Sequence, residues 1–269
     1  MRFSLTKRLN FQQFVAMLLL SLVGCGSEND PVVEETFERL YTIQPTADIT
    51  IQNRDGAILI YGSNTNEMRV QATKKAYSRK RLNQIAIDVS VQSSSVSINV
   101  KLPPKQKWAL FDQSGTVECT IVVPATANIS QLRLDAGEVL VDGMHGQGGV
   151  HAWLGDGRML AHNCFADSEL ALQNGNLSIS YDWWDPGRFT IQGNIGRGNA
   201  WAFLPSNAAF HLVAETAHGR VASDFDDAPV APAASAGAEK IDTLVNGGGQ
   251  TAIKVRTANG DVKIVEANP

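Results

Sequence analysis

One phrase recurs along this 269-residue chain and restricts what it can fold into. Residues of alternating polarity lead to a glycine, and the alternation resumes beyond it. One copy reads Ile49-Thr50-Ile51-Gln52-Asn53-Arg54-Asp55-Gly56-Ala57-Ile58-Leu59-Ile60, and another Leu132-Arg133-Leu134-Asp135-Ala136-Gly137-Glu138-Val139-Leu140-Val141. The phrase returns around Gly157, Gly175, Gly219 and Gly260, and more loosely near Gly198. Counted from each glycine, positions five and three before it and two and four after it are mostly apolar, as in Leu170, Leu172, Leu177 and Ile179. Period-two alternation marks a strand with one buried face. The glycine, often preceded by Asp55, Asp156, Asn174 or Asn259, supplies the positive backbone angle of a tight turn.

Between Gly137 and Gly219 the glycines recur about every twenty residues. That cadence predicts an all-β, single-domain β-solenoid, in which each coil covers its neighbour's core. A β-sandwich is the competitor, but it does not require turns in one register. The N-terminal half is less regular, with strands expected at 68–72, 85–91, 96–102 and 117–123 and a hairpin turn at Ser93-Ser94-Ser95. No segment has a convincing helical period, the nearest being the short basic stretch from Ala76 to Leu82. Residues 228–249, with Pro229, Pro232 and Gly247-Gly248-Gly249, read as a mobile loop inserted before the last strand pair.

At 43% hydrophobic and 19% charged, the composition is globular rather than disordered. A net charge of -4 argues against a nucleic-acid partner, which would require a strongly basic face. The N-terminus carries Arg2, Lys7 and Arg8, then an apolar run from Phe14 to Val23 that is too short to span a membrane. It closes with Leu22-Val23-Gly24-Cys25, which resembles the bacterial lipobox. That resemblance implies a signal peptide over 1–24, lipidation (palmitate among the acyl groups) at Cys25, and membrane attachment through the lipid. Residues 25–39, acidic and polar, read as a flexible tether, leaving 40–268 as the folded domain. Gly26 and Ser27 stand where an aspartate would retain a lipoprotein at the inner membrane, so the expected location in a diderm cell is the outer membrane. With Cys25 lipidated, Cys119 and Cys164 remain; an oxidising compartment permits one disulfide between them, and two small buried side chains is the alternative.

Further resemblance lies in the order of segments. Val122-Val123-Pro124 leads into the repeat at 132–141, and Ala202-Phe203-Leu204-Pro205 precedes Thr216-Ala217-His218-Gly219-Arg220-Val221. A glycine-rich stretch then leads to Ile253-Lys254-Val255-Arg256-Thr257-Ala258-Asn259-Gly260-Asp261-Val262. Over roughly residues 40 to 267 this resembles the bacterial "putative adhesin" domain of unknown function, a β-solenoid of exported and envelope proteins. The resemblance implies the fold and an envelope location; it brings no catalytic residues.

Chemistry-bearing motifs are sparse. The five histidines form no His-x-x-x-His or Glu-x-x-His pair, and no metal or cofactor is expected. His151 and His162 fall on outward phases of what read as neighbouring strands. Serine-nucleophile and phosphate-loop signatures are missing, and Gly193-Asn194-Ile195-Gly196-Arg197-Gly198 lacks a strand-then-helix context. Polysaccharide cleavage needs two carboxylates roughly 5 to 10 Å apart. Among Asp135, Asp142, Asp156, Asp167, Asp182 and Asp185 the glycine-based register aligns no outward pair. Two surface features stand out. Trp183, Trp184 and Arg188, within Tyr181-Asp182-Trp183-Trp184-Asp185-Pro186-Gly187-Arg188, form a candidate ligand site in which at most one indole joins the core. Lys74, Lys75, Arg79, Lys80 and Arg81, with Lys101, Lys105 and Lys107 later, form a candidate patch for an anionic surface. The expectation is a non-enzymatic envelope protein that binds a glycan or an envelope protein. The alternatives are a polysaccharide-active enzyme on the same fold, or an envelope-stress or assembly component that recognises anionic envelope material.

Overall fold

Five residue steps separate the position three before each glycine from the position two after it. An unbroken pleat would therefore turn the second half of every repeat away from the core. The chain resolves this by bending at the glycine. The computed structural model describes residues 32–104, 115–225, 231–232 and 238–267; the signal segment, Cys25, Lys105 and Lys107 lie outside the described residues.

In chain order, the first elements are β1 (Val33–Thr42), β2 (Asp48–Ser63), β3 (Glu67–Ala76), a four-residue helix α1 (Arg79–Leu82), β4 (Ala86–Gln92), β5 (Ser95–Lys101) and β6 (Thr116–Pro124). Next come β7 (Asn128–Asp142), β8 (Val150–His162), β9 (Ser168–Ser180), β10 (Thr190–Arg197), β11 (Ala200–Pro205), β12 (Phe210–His218) and β13 (Val221–Ser223). The chain ends with β14 (Ala231–Pro232), β15 (Glu239–Val245), β16 (Ala252–Asn259) and β17 (Val262–Ala267). The protein is all-β, and its sheet is mixed.

The repeats pair in parallel, glycine on glycine: Gly56 with Gly137, Gly137 with Gly157, and Gly157 with Gly175. They are not strand-turn-strand units, as the sequence was read above, because β2, β7, β8 and β9 run straight through their glycines. Gly157 has φ +140°, and a Cβ there would sit 1.8 Å from the carbonyl oxygen of Gly137. Only glycine allows both that angle and that approach of one rung to the next. Beyond Gly175 the rungs split into β10 and β11, β16 and β17, and β12 and β13 about Gly198, Gly260 and Gly219. The last rung in sequence is not last in space: β16 lies between β10 and β12.

Inward positions match the glycine-based register. Leu132, Leu134, Val139, Val141, Leu170, Leu172, Leu177 and Ile179 are each at most 3% exposed, while Leu140 and Ser178 lie half-buried on the other face. Three rungs place a polar residue three before the bend, and each is satisfied by a neighbouring carbonyl. Asn53 Nδ2 donates to Val117 O at 2.8 Å, Thr216 Oγ1 to Gly260 O at 2.8 Å, and Thr257 Oγ1 to Gly198 O at 3.0 Å. Buried polar groups are tolerated on such terms.

Antiparallel pairs make up the remainder and correct several expectations. The tether read over 25–39 becomes strand from Val33, because β1 pairs with β3 along its whole length. Val33, Phe37 and Tyr41 pack against the core, and the acidic residues meet cross-strand cations rather than water alone. Likewise the loop expected over 228–249 contains β15, which pairs with β12 from Phe210↔Val245 to Thr216↔Glu239. Ile241 and Val245 are buried there, two apolar positions whose even spacing the Pro/Ala/Gly-rich surroundings hid. The Ser93-Ser94 turn joins β4 to β5 as read. Cys119 and Cys164 are free and buried, not bonded. Cys119 is on β6 while Cys164 follows β8, and β2 and β7 intervene. Three strand spacings of about 4.8 Å exceed the roughly 7 Å limit between Cα atoms that a disulfide permits.

Candidate binding site around Trp183

The chain bends at Asp182 and Trp183, beyond the end of β9, and the two adjacent indoles part there. Trp184 turns inward against Tyr181, Phe189 and Phe210, with ring centroids 5.6, 6.0 and 5.8 Å away. Its indole nitrogen is buried and unpartnered, so this ring is scaffold. Trp183 is 50% exposed. Its ring rests on Phe165, centroids 5.7 Å apart, and Phe165 in turn packs against His145 and Tyr181. A buried aromatic base thus holds an accessible indole. Arg188, three residues beyond Asp185, is exposed as well.

Beside Trp183 lies a polar arrangement that the sequence reading missed. Asp142 and His162 occupy the same place in neighbouring rungs, five residues after their glycines, and are paired in register. His162 Nδ1 is 2.9 Å from Asp142 Oδ1, and Nε2 is 3.1 Å from Asp182 Oδ2. Asn163, with a left-handed φ of 47°, fastens Asp182 from the other side. Its amide donates to Asp182 Oδ2 at 3.1 Å, and its carbonyl oxygen accepts from Asp182 N at 2.9 Å. The Asn163 amide first, and His162 second, hold the Asp182 carboxyl below the usual aspartate range. The signal for this arrangement in the sequence is the shared phase of Asp142 and His162, each five residues after its glycine.

Both ring nitrogens of His162 face carboxylates, and the Asn163 amide lies 3.2 Å from Nε2 as well, so the ring is held in place from both sides. The arrangement fixes the direction of Asp182, an exposed acceptor next to an exposed indole. His151 is not part of it. It lies at the other end of β8, on the far side of Gly157, and meets Glu169 at 3.2 Å. The two histidines thus share one strand rather than occupying neighbouring strands, and no metal-holding group of His, Cys, Asp or Glu occurs among the described residues.

The basic stretch does not form one cationic surface. Lys74 pairs with Glu35 at 2.6 Å, Lys75 with Glu118 at 2.8 Å, and Lys101 with Asp88 at 2.7 Å. Arg79 and Lys80 stay exposed, while Arg81 reaches the Pro104 carbonyl at 3.4 Å. Neighbouring strands β1, β6 and β4 supply the acids, Glu35, Glu118 and Asp88, which a linear reading of charge does not bring together.

Several solved structures are similar to this chain. A "putative cell adhesion protein" from Clostridium sporogenes matches at 14% identity and TM-score 0.48, over 87% of this chain and 100% of its own. A "putative adhesin" from Bacteroides fragilis matches at 13% identity and TM-score 0.30, over 86% of this chain and 97% of its own. Another from Parabacteroides distasonis matches at 10% identity and TM-score 0.26, with the same two coverages. No protein-family model matches the chain, and no curated protein matches it in sequence.

Proposed function

We propose that this chain is a non-catalytic binding protein of the bacterial cell envelope, a lipid-anchored β-solenoid that makes an adhesive contact through Trp183. The observation that carries the reading is the half-exposed indole, held on a buried aromatic base beside a fixed carboxylate. Tryptophan anchors of this kind dominate macromolecular contacts when they enter a partner's pocket. Trp183 lines none of the clefts on the face formed by the rung halves that precede the glycines, so it suits a partner that supplies the pocket. The glycine-stacked rungs support the solenoid reading, since they give a rigid body on which such a knob keeps its position.

The lipobox-like Leu22-Val23-Gly24-Cys25 supports the anchor, with the outer membrane as destination. Cys25→Ala should leave the chain uncleaved or release it to the soluble fraction; recovery as a mature, membrane-bound form defeats the anchor. Envelope preparations should retain the purified wild-type chain and lose Trp183→Ala, with both melting at the same temperature. Equal retention of the two defeats the binding assignment. Release of reducing ends from envelope polysaccharide, abolished in Asp142→Asn or Asp182→Asn, would replace it with an enzymatic one.

A further inference from the structure

The other outer face, formed by the rung halves that precede the glycines, carries a second indole. Trp153 lies four residues before Gly157 and points outward from β8. Its register neighbours are Arg133 on β7 and Ala171 on β9, and beyond Ala171 comes Asn194 on β10. The Arg133 guanidinium sits 3.8 Å above the Trp153 ring centroid and covers the face turned toward β7. The opposite face turns toward β9, where Ala171 offers only a methyl group. Trp153 and Asn194 stand two strand spacings apart, about 9.6 Å, which leaves room for one ring at van der Waals distance from the indole.

This gap opens onto a cleft of about 190 Å³ lined by Gln131, Arg133, His151, Trp153, Glu169 and Ala171. Arg133 pairs with Asp135 at 3.2 Å, and the His151 Nδ1 atom lies 3.2 Å from the Glu169 carboxylate. An anionic ligand would have to displace Asp135 from Arg133 and approach Glu169, whereas a neutral, hydroxyl-rich one can use these groups as they stand. The Arg133 N–H groups and the Gln131 amide donate, and the Gln131 carbonyl and the Glu169 carboxylate accept. His151 and Glu169 also line an adjoining cleft of about 470 Å³ with Asn128, Gln147 and Gln192, so the polar lining continues past one ring. An open aromatic face over a methyl floor, flanked by amides and charged groups, fits the apolar face of a sugar ring with hydroxyls at its rim.

We infer that the Trp153–Ala171 slot is a carbohydrate site, which stacks one pyranose ring of a neutral glycan on the indole and is separate from the Trp183 contact. The test uses the purified full chain and three probes, chitohexaose, cellohexaose and mannohexaose, each titrated by calorimetry. At least one should bind, and Trp153→Ala should weaken that binding at least tenfold. Ala171→Leu, which fills the slot while leaving the indole in place, should weaken it similarly. Trp183→Ala should leave it unchanged. Because Trp153 and Ala171 lie on the outer face, both variants should keep the wild-type β-sheet circular dichroism spectrum. The inference is overturned if none of the three probes binds at millimolar concentration, if binding survives Ala171→Leu, or if Trp183→Ala abolishes it.

Discussion

Substituting Gly157 with alanine tests the rung-on-rung contact that organises the whole molecule. At φ +140° the residue occupies backbone territory that alanine enters only under strain, about 1–3 kcal/mol for residues so placed. The added methyl would also sit 1.8 Å from the Gly137 carbonyl oxygen, which is backbone of the next rung and cannot rotate away. The two rungs must separate locally, and losing two ladder hydrogen bonds at about 1 kcal/mol each adds about 2 kcal/mol. The total is about 3–5 kcal/mol, or a fall of about 6–20 °C at 2–4 °C per kcal/mol for a chain of this size. Gly247 is the control. It too has a positive φ, +77°, but a Cβ there meets nothing within 4 Å. Gly247→Ala therefore carries the left-handed strain alone, about 1–2 kcal/mol. Calorimetric melts of both variants isolate the stacking contribution. If Gly157→Ala melts no lower than Gly247→Ala, the close approach of glycine rungs is not what holds the stack.

Three further outcomes follow from the same geometry. Trp184→Ala should cost about 3 kcal/mol through loss of its contacts to Tyr181, Phe189 and Phe210, while Trp183→Ala should change stability by less than about 0.5 kcal/mol; thermal melts of the pair check the division of labour. Burial pushes the Cys119 and Cys164 thiols up to about 12, so neither should react with a thiol reagent at pH 8 in the native protein, and both should react after unfolding. The bonds to Asn163 and then His162 depress the Asp182 carboxyl, so their contribution to stability is present above the unfolded aspartate value and lost as pH falls through the lower folded one. An NMR titration should place the Asp182 midpoint below that of a model aspartate, and Asn163→Ala should move it upward.

The repeat was legible because one glycine-centred register places Leu132, Leu134, Val139, Val141, Leu170, Leu172, Leu177 and Ile179 inward. What it left unread was physical rather than random. The glycine appeared as a turn because positive φ is shared by turns and by bends within a strand; only the odd step across it distinguishes the two. Strands β1 and β15 escaped notice because each has apolar residues on one edge and is otherwise acidic or flanked by small residues, and both are stabilised by antiparallel partners distant in sequence. The order of rungs, with β16 between β10 and β12, carries no local signal. At the site, the sequence places at most one of Trp183 and Trp184 in the core, and Trp184 is the one that packs there. The Asp142–His162–Asp182 arrangement needed cross-rung register applied to every polar residue, not to aspartates alone.

The most direct test of the proposed function is a photo-crosslinking amino acid placed at position 183 of the full chain in living cells. The account predicts a discrete covalent adduct with an envelope component after irradiation, and none when the same group replaces Gly247, an exposed position remote in sequence from the aromatic base. Absence of an adduct at 183, or the same adducts from both positions, would contradict the assignment of Trp183 as the contact through which this protein binds.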